Sequence, residues 1–507
     1  MDAFVVFSLA FLAAWFIVVF PRWSDSRRRR GPGGELPPGP PPLPIVGNIL
    51  QLRGDPHKSF AQLAKTYGPL MSLRLGTQFA VVVSSPEMAT EILQKHGHAF
   101  SNRSIPDAIN IHGHNEVSWN TMPADSTGWK RIRRVGREKL FSHQALQQTE
   151  GQRQERLRKL ADHVRGFSEQ GRVMNVGEAT FTTMTDLVFS TLFSIDLTDY
   201  GATDSIANKE FKEHVNAFTR YIGVPNISDF FPIFAPLDPQ GIRRKIGHHL
   251  GSLLAFVQSM IEERLRERKA STYQKKNDFL DTLLDISEEG NGYDDLSIKE
   301  IRHFCVDIIV AGSDTSAATT EWAMVELLLH PDKLAKLKAE LKSFLGEKSL
   351  VEGSDISKLP YLQATIKEVF RFHPAAPLLG PREAVEETQI NGYTIPKNAK
   401  IMVNFWAMTR DPSIWKNPES FEPERFLGKD IDYEGQHFEL IPFGSGRRIC
   451  PGMPLASRML HCMVATLCHN FDWELEGGAE SKQRQREDVF GLALQKKFPL
   501  RAKPIKV

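Results

Sequence analysis

Cysteine is scarce in this chain: four in 507 residues, Cys305, Cys450, Cys462 and Cys468, without the paired spacing that holds zinc. The cysteines therefore predict neither a disulfide framework nor a zinc site, and a reducing compartment is expected. Net charge is scarce too. Lys and Arg number 63 against 61 Asp and Glu, a formal charge of +2, which leaves no cationic excess for nucleic acid as a general partner. Internal repeats, long low-complexity tracts and a central linker are also missing. Although the length exceeds that of a usual domain, the lack of any divide predicts one large catalytic domain, residues 45–507, behind a short leader.

One long uncharged run is present. Residues 3–20 offer 18 positions without a charge, enough, if only just, for a helix to cross a bilayer. Arg22 and Arg27–Arg30 follow it, whereas Asp2 is the only charged side chain ahead of it. The positive-inside rule then places everything after residue 30 in the cytosol. A cleaved secretory signal is the competing reading; it requires a basic leader and a small-residue cleavage site, and neither is present. We expect a membrane anchor over 1–21 and a basic, Pro-rich hinge over 22–44. Prolines clustered in Leu36–Pro44 favour a stiff extended spacer that holds the body at a fixed offset from the membrane. Asn102-Arg103-Ser104 and Asn226-Ile227-Ser228 have the form of glycosylation acceptors, which would go unused in the cytosol.

The body reads as mostly α with small β-sheets. Apolar positions recur at helical spacing over 86–96, 129–140, 146–169, 249–269, 298–329, 331–345 and 360–373. Strand-like pieces are short, at 70–75, 79–84, 388–390 and 401–404. Residues 301–329 are apolar on most sides, so this helix should run through the core.

The most informative stretch is Phe443-Gly444-Ser445-Gly446-Arg447-Arg448-Ile449-Cys450-Pro451-Gly452. Its glycines permit backbone conformations closed to other residues and let a flat ligand approach. Unpaired loop N–H groups can face the sulfur, and the arginines both lower a thiol pKa and offer partners to carboxylates. The bland alternative is a buried structural cysteine beside a Gly-rich turn. These residues resemble, position for position, the F-x-x-G-x-R-x-C-x-G haem loop of the cytochrome P450 family, and the wording is similar to its plant microsomal members. The resemblance covers almost the whole chain, from the Pro-rich hinge onward. It implies a cytochrome P450 fold behind a single N-terminal transmembrane helix, a haem b whose iron takes Cys450 as axial thiolate, and Phe443 beside it.

Four other constellations gain meaning beside that loop. Ala311-Gly312-Ser313-Asp314-Thr315-Ser316 is a polar interruption in an apolar helix, costly unless it serves something. Ala311 and Gly312 leave room for a flat cofactor and a diatomic. Thr315 can bond to the Ala311 carbonyl and loosen the helix locally, while Asp314 and that hydroxyl together can relay protons. The segment resembles the oxygen-binding kink of the family. Trp129 and Arg133 share a helical face as a donor pair for a carboxylate, and they look like the family's propionate clamp. Arg382, Arg448 and, more loosely, Arg103 fall where the resemblance implies further propionate contacts. Glu368 and Arg371, three apart, would alone be an ordinary ion pair; with Arg425 they look like a fold-bearing triad behind the haem. Lys130, Arg131, Arg134 and Arg137 offer either a solvated basic helix or a docking face for an acidic electron donor.

The resemblance implies a haem-thiolate monooxygenase that inserts one atom of O2 into a hydrophobic substrate. Electrons would come from NADPH through a separate cytochrome P450 reductase, because no flavin or nicotinamide motif is present. Residues 222–229 and 238–241 resemble the plant branch of geraniol hydroxylases and ferruginol synthases. An abietane-type diterpenoid is then the expected substrate, oxidised once or in successive steps at the endoplasmic reticulum membrane, with a monoterpenol or phenylpropanoid as the alternative. A reductase-independent haem-thiolate isomerase or dehydratase would not need Asp314 and Thr315. A haem or sterol binder without turnover would not need them either. By analogy the pocket walls are 105–117, 218–222, 304–308, 375–379 and 490–492, largely apolar as a hydrophobic substrate requires.

Overall fold

The computed structural model describes residues 30–31, 34–197, 206–289, 295–346, 348–477, 484–491 and 493–507. The expected anchor, 1–21, lies outside them, as do hinge residues 22–29 and 32–33 and the wall residue Leu492. Among the described residues no helix is long and apolar enough to cross a membrane.

Helices dominate, and the longest, Ile298–Leu329, organises the rest. It begins at a capping box: Ser297 Oγ accepts from the Glu300 N–H at 3.2 Å, and Glu300 Oε2 accepts from the Ser297 N–H at 2.9 Å. Val176–Phe193, Met453–Asn470 and Pro360–Phe372 pack against it. One core cluster, around Trp322, Leu362, Ile366 and Met463, lies on its C-terminal side; a second, around Phe189, Leu250, Phe304 and Ile309, surrounds its N-terminal half.

Most expected elements are present with shifted ends. The 249–269 helix starts at Ile242, because Asp238 accepts from the N–H groups of Arg243 and Arg244 at 3.2 and 3.0 Å and so caps it. The 146–169 segment is two helices, His143–Gln148 and Glu150–Glu169. Both 86–96 and 129–140 begin as α-helix and widen into π-helical turns, Glu91–Lys95 and Gly136–Leu140. At Gly136 an added Cβ would lie 2.9 Å from the Trp119 ring, so only glycine permits that approach. The helices Val176–Phe193 and Met453–Asn470 were not expected from periodicity. Val176–Phe193 is buried on nearly every side, and a helix without a polar face has no amphipathic period to read.

The largest sheet has five strands, in the order Leu70–Leu75, Gln78–Val83, Lys400–Val403, Arg382–Glu383, Asn102–Arg103. Its register sets Arg103 directly opposite Arg382, and Arg382 opposite Ile401. The Pro-rich segment docks on this sheet: Ser72 donates from its N–H to the Pro38 carbonyl at 2.7 Å and from Oγ to the Pro37 carbonyl at 2.6 Å. Prolines lack donors but keep their acceptors, so a stiff segment can still be tied down.

Candidate functional site

The Cys450 loop sits where the long helix, the sheet edge and the start of Met453–Asn470 converge. Gly446 has φ +69°, and a Cβ there would fall 2.1 Å from the Leu93 carbonyl oxygen. Cys450 N–H donates to the Phe443 carbonyl at 2.9 Å, closing the turn. Phe443 is fixed in turn by Phe370, edge-to-face at 5.2 Å between centroids. Burial pushes the Cys450 thiol up, while the N–H groups of Gly452 and Met453 and the charges of Arg133 and Arg103 pull it back.

The loop forms one wall of a cavity of about 300 Å³. Facing Cys450 across it are Ala311, Gly312 and Thr315 of the long helix, and Phe443, Trp129, Arg133, Arg103, Arg382 and Arg448 also line it. Of the eleven residues expected at the site, ten therefore border one cavity. Asp314 is the exception. It is buried, and its carboxylate accepts from Gln495 Nε2 at 2.8 and 2.7 Å. Burial pushes its pKa up and the Gln495 contact partly restrains the rise. Thr315 Oγ1 donates to the Ala311 carbonyl at 2.8 Å, as its spacing predicts, yet the helix runs unbroken from Ile298 to Leu329.

Four guanidinium groups around the cavity have no carboxylate partner among the described residues. Each is parked on backbone carbonyls instead: Arg448 on Ser101 at 2.9 Å, Trp119 at 3.0 Å and Met122; Arg382 on Ser445 at 2.9 Å and Phe100 at 3.4 Å; Arg103 on Gly380; Arg133 on Ile449. Burial and mutual repulsion push Arg382 and Arg448 down to about 9 and Arg103 to about 10. Like charges opposed across a strand pair destabilise a sheet, and Arg103 and Arg382 are so opposed. A flat dianion would relieve that repulsion. The Trp129 indole N–H does not point at a ligand; it donates to the Trp119 carbonyl at 2.9 Å, while its ring lies beneath the Arg448 guanidinium at 4.6 Å. Trp129 thus braces an arginine as well as bordering the cavity.

The triad is present and buried. Arg371 donates to Glu368 at 2.7 and 2.8 Å and to the carbonyls of Thr409, Pro418 and Ser420 at 2.8, 2.8 and 2.9 Å, and Arg425 reaches the same carboxylate at 3.0 Å. Of the basic helix, Arg131 is taken by an ion pair with Glu300, whereas Lys130 and Arg137 are exposed. Expected walls 304–308 and 375–379 contribute Ile308, Ala375, Ala376 and Leu379. The cavity takes no residue from 105–117 or 218–222, and Phe490 stacks on His57 at 5.5 Å instead. Trp119, Asn120, Met184 and Val188 occupy wall positions that the sequence did not single out.

Comparison with known proteins agrees with this geometry. The cytochrome P450 family model matches residues 37–500. The chain belongs to the cytochrome P450 family. It is 73% identical over its full length to carnosic acid synthase of Rosmarinus officinalis, and 70% identical, again over both full chains, to 11-hydroxysugiol 20-monooxygenase of Salvia miltiorrhiza. Ferruginol synthase of Isodon rubescens is 48% identical over 98% of this chain and 99% of its own. The protein is a cytochrome P450 monooxygenase, and its family carries a haem-thiolate iron and draws electrons from NADPH through a reductase. The unpaired arginines, the restrained thiol and the glycine-lined space fit that group.

Proposed function

We propose that this monooxygenase oxidises an abietane-type diterpenoid at the position that the Salvia relative's name numbers 20, in successive steps that end at a carboxylic acid. The observation that carries the reading is full-length identity of 70% or more to one relative named for an acid product and another named for hydroxylation at 20. The wall residues Val188, Ile308, Ala375, Ala376 and Leu379 present the apolar surface that a fused-ring hydrocarbon requires.

When bound, the haem supplies O2 activation and insertion of one oxygen atom into a C–H bond, the other atom leaving as water. Cys450 would hold it through sulfur, and the glycine and methionine N–H groups behind that sulfur favour its anionic form against the opposing effect of burial. Arg103, Arg133, Arg382 and Arg448 would take its carboxylates, and Ala311 and Gly312 would leave room beside it. Thr315 places Oγ1 at the cavity while donating to the Ala311 carbonyl, and Asp314, one residue back and buried with a raised pKa, would resupply a proton there once Gln495 releases its carboxylate. Lys130 and Arg137 present exposed cations to the acidic face of a reductase.

The enzyme works at the endoplasmic reticulum membrane, anchored through residues 1–21 with its catalytic domain in the cytosol. Supporting this are exposed apolar side chains in two segments: Ile45 and Leu50 after the hinge, and Ile233 and Leu237, which are 81% and 74% exposed. Such surface has a use at a bilayer.

The test is incubation of microsomes holding this protein and a reductase with 11-hydroxysugiol, ferruginol and geraniol under 18O2. Labelled alcohol and acid from an abietane are expected. Turnover of geraniol alone would overturn the substrate class, and product without label or without NADPH would favour the isomerase or dehydratase.

A further inference from the structure

Away from the cavity, two helices meet at a cluster of imidazoles that the reaction does not use. His214 lies on Ile206–Ile222, and His248 and His249 are consecutive on Ile242–Arg268. Adjacent residues on a helix point about 100° apart, yet here both rings lie beside His214 of the neighbouring helix. One ring nitrogen of each histidine lies within 4.8 Å of the other two, and His214 Nδ1 is 2.9 Å from His249 Nδ1. The three ring centroids are 5.1 to 5.5 Å apart. Among the described residues this is the one group of three histidine, cysteine or acidic side chains that so converges.

We propose that His214, His248 and His249 form a second metal site, for a divalent borderline ion of the zinc class, which clasps the two helices together. A nitrogen facing a nitrogen can share only one proton, so the arrangement satisfies two rings and offers the third nothing. A tetrahedral zinc with bonds of about 2.0–2.1 Å places its nitrogens roughly 3.3–3.4 Å apart. That spacing falls between the 2.9 Å contact and the 4.8 Å limit of the cluster, within reach of small side-chain rotations. Three imidazoles favour zinc, cobalt, nickel or copper over magnesium or calcium.

The surroundings are built for it. His248 is exposed and His214 and His249 half-buried, which gives an ion an entry path and leaves a fourth position for water. Glu210 and Glu213 on the His214 helix put negative potential at that imidazole. Tyr221 stacks on His249 at 5.9 Å and 17°, limiting its rotation, and the nearby cations Arg220 and Lys245 lie over the Tyr221 ring at 5.0 and 5.1 Å. Beneath the cluster, Phe211, Val215 and Phe218 of one helix and Leu250 and Leu253 of the other belong to the same core as Phe304 and Ile308. Ile308 also borders the substrate cavity. An ion here would brace the layer over that core and restrain the 223–241 connection between the helices.

Equilibrium dialysis of untagged, haem-loaded, full-length protein against Zn2+, with bound metal measured by mass spectrometry, tests the site. One equivalent is expected, removed by a chelator, lost in His214→Ala and weakened roughly tenfold or more in His248→Ala. His248 is exposed, so its variant keeps the fold. Wild-type binding well below one equivalent, or binding unchanged in both variants, would overturn the proposal. Limited proteolysis within 223–241 reads the clasp separately: Zn2+ should slow cleavage in the wild type and not in His248→Ala, and equal slowing in both would refute it.

Discussion

Gln495 Nε2 lies 2.7 Å from Asp314 Oδ2 and 2.8 Å from Oδ1, across 181 residues of sequence. It turns the acid of the expected acid–alcohol pair away from the cavity and toward a hairpin, Asp488–Val489 with Gln495–Lys496. That hairpin is itself tied to the cavity wall, since Leu494 N–H donates to the Ala375 carbonyl at 2.7 Å.

Asp314→Asn should separate stability from turnover. A carboxyl whose pKa folding raises costs stability once the pH exceeds its unfolded value near 3.9, and the cost grows until the folded value is passed. Removing the ionisable group should therefore stabilise the protein at neutral pH. Product formed per NADPH should fall at the same time. Gln495→Leu should lower that ratio too, with the substrate-induced spectral shift retained. A thermal midpoint that drops in Asp314→Asn, or unchanged coupling in both variants, would contradict this account.

Acid sensitivity should trace to Glu326. This carboxylate is fully buried; burial pushes its pKa up, but hydrogen bonds from His373 at 2.8 Å and Arg486 at 2.9 and 2.6 Å hold it at about 2. A depressed carboxyl contributes stability above its unfolded pKa and loses it as the pH falls toward the folded one. On the order of 2–3 kcal/mol should therefore vanish between about pH 4.5 and 2. The slope of thermal midpoint against pH in that window should flatten in Glu326→Gln.

Glu368→Gln leaves Arg371, with no exposed surface, facing a neutral partner. Breaking a buried pair from one side costs roughly 3–5 kcal/mol. Recovery of soluble holoprotein and the thermal midpoint should both drop, and the conservative Glu368→Asp should recover only part of the loss.

Two glycines in the Cys450 loop should differ in tolerance. Gly444 and Gly446 have φ +71° and +69°, but a Cβ on Gly444 meets nothing within 4 Å whereas one on Gly446 meets the Leu93 oxygen at 2.1 Å. Gly444→Ala should cost only its backbone strain, about 1–3 kcal/mol at most. Gly446→Ala should also displace the loop, seen as a fall in haem per protein larger than that of Gly444→Ala.

The site was legible where chemistry is local. Cys450 with its flanking glycines, and Thr315 four residues from the carbonyl it bonds, can be read along one loop or one helix. Arg103 and Arg382 were placed by resemblance; their juxtaposition comes from strand register, which no single segment displays. Gln495 was invisible because its partner is on a helix 181 residues away and glutamine in a polar tract has no signature. Wall positions were missed for a related reason: Met184 and Val188 lie on a helix buried all round, whose sequence does not say which side meets the cavity.

The arginines parked on backbone carbonyls carry a last consequence. Arg448 draws Ser101, Trp119 and Met122 together, and Arg382 spans Phe100 and Ser445. The loop that these contacts gather also supplies Trp119 and Asn120 to the substrate wall. On the roles proposed for Arg448 and Arg382, capturing the prosthetic group and shaping the chamber are one act of assembly. Any change selected for tighter retention of the group will be inherited by selectivity, and an attempt to widen the chamber at 119–120 will be felt first as a weaker grip.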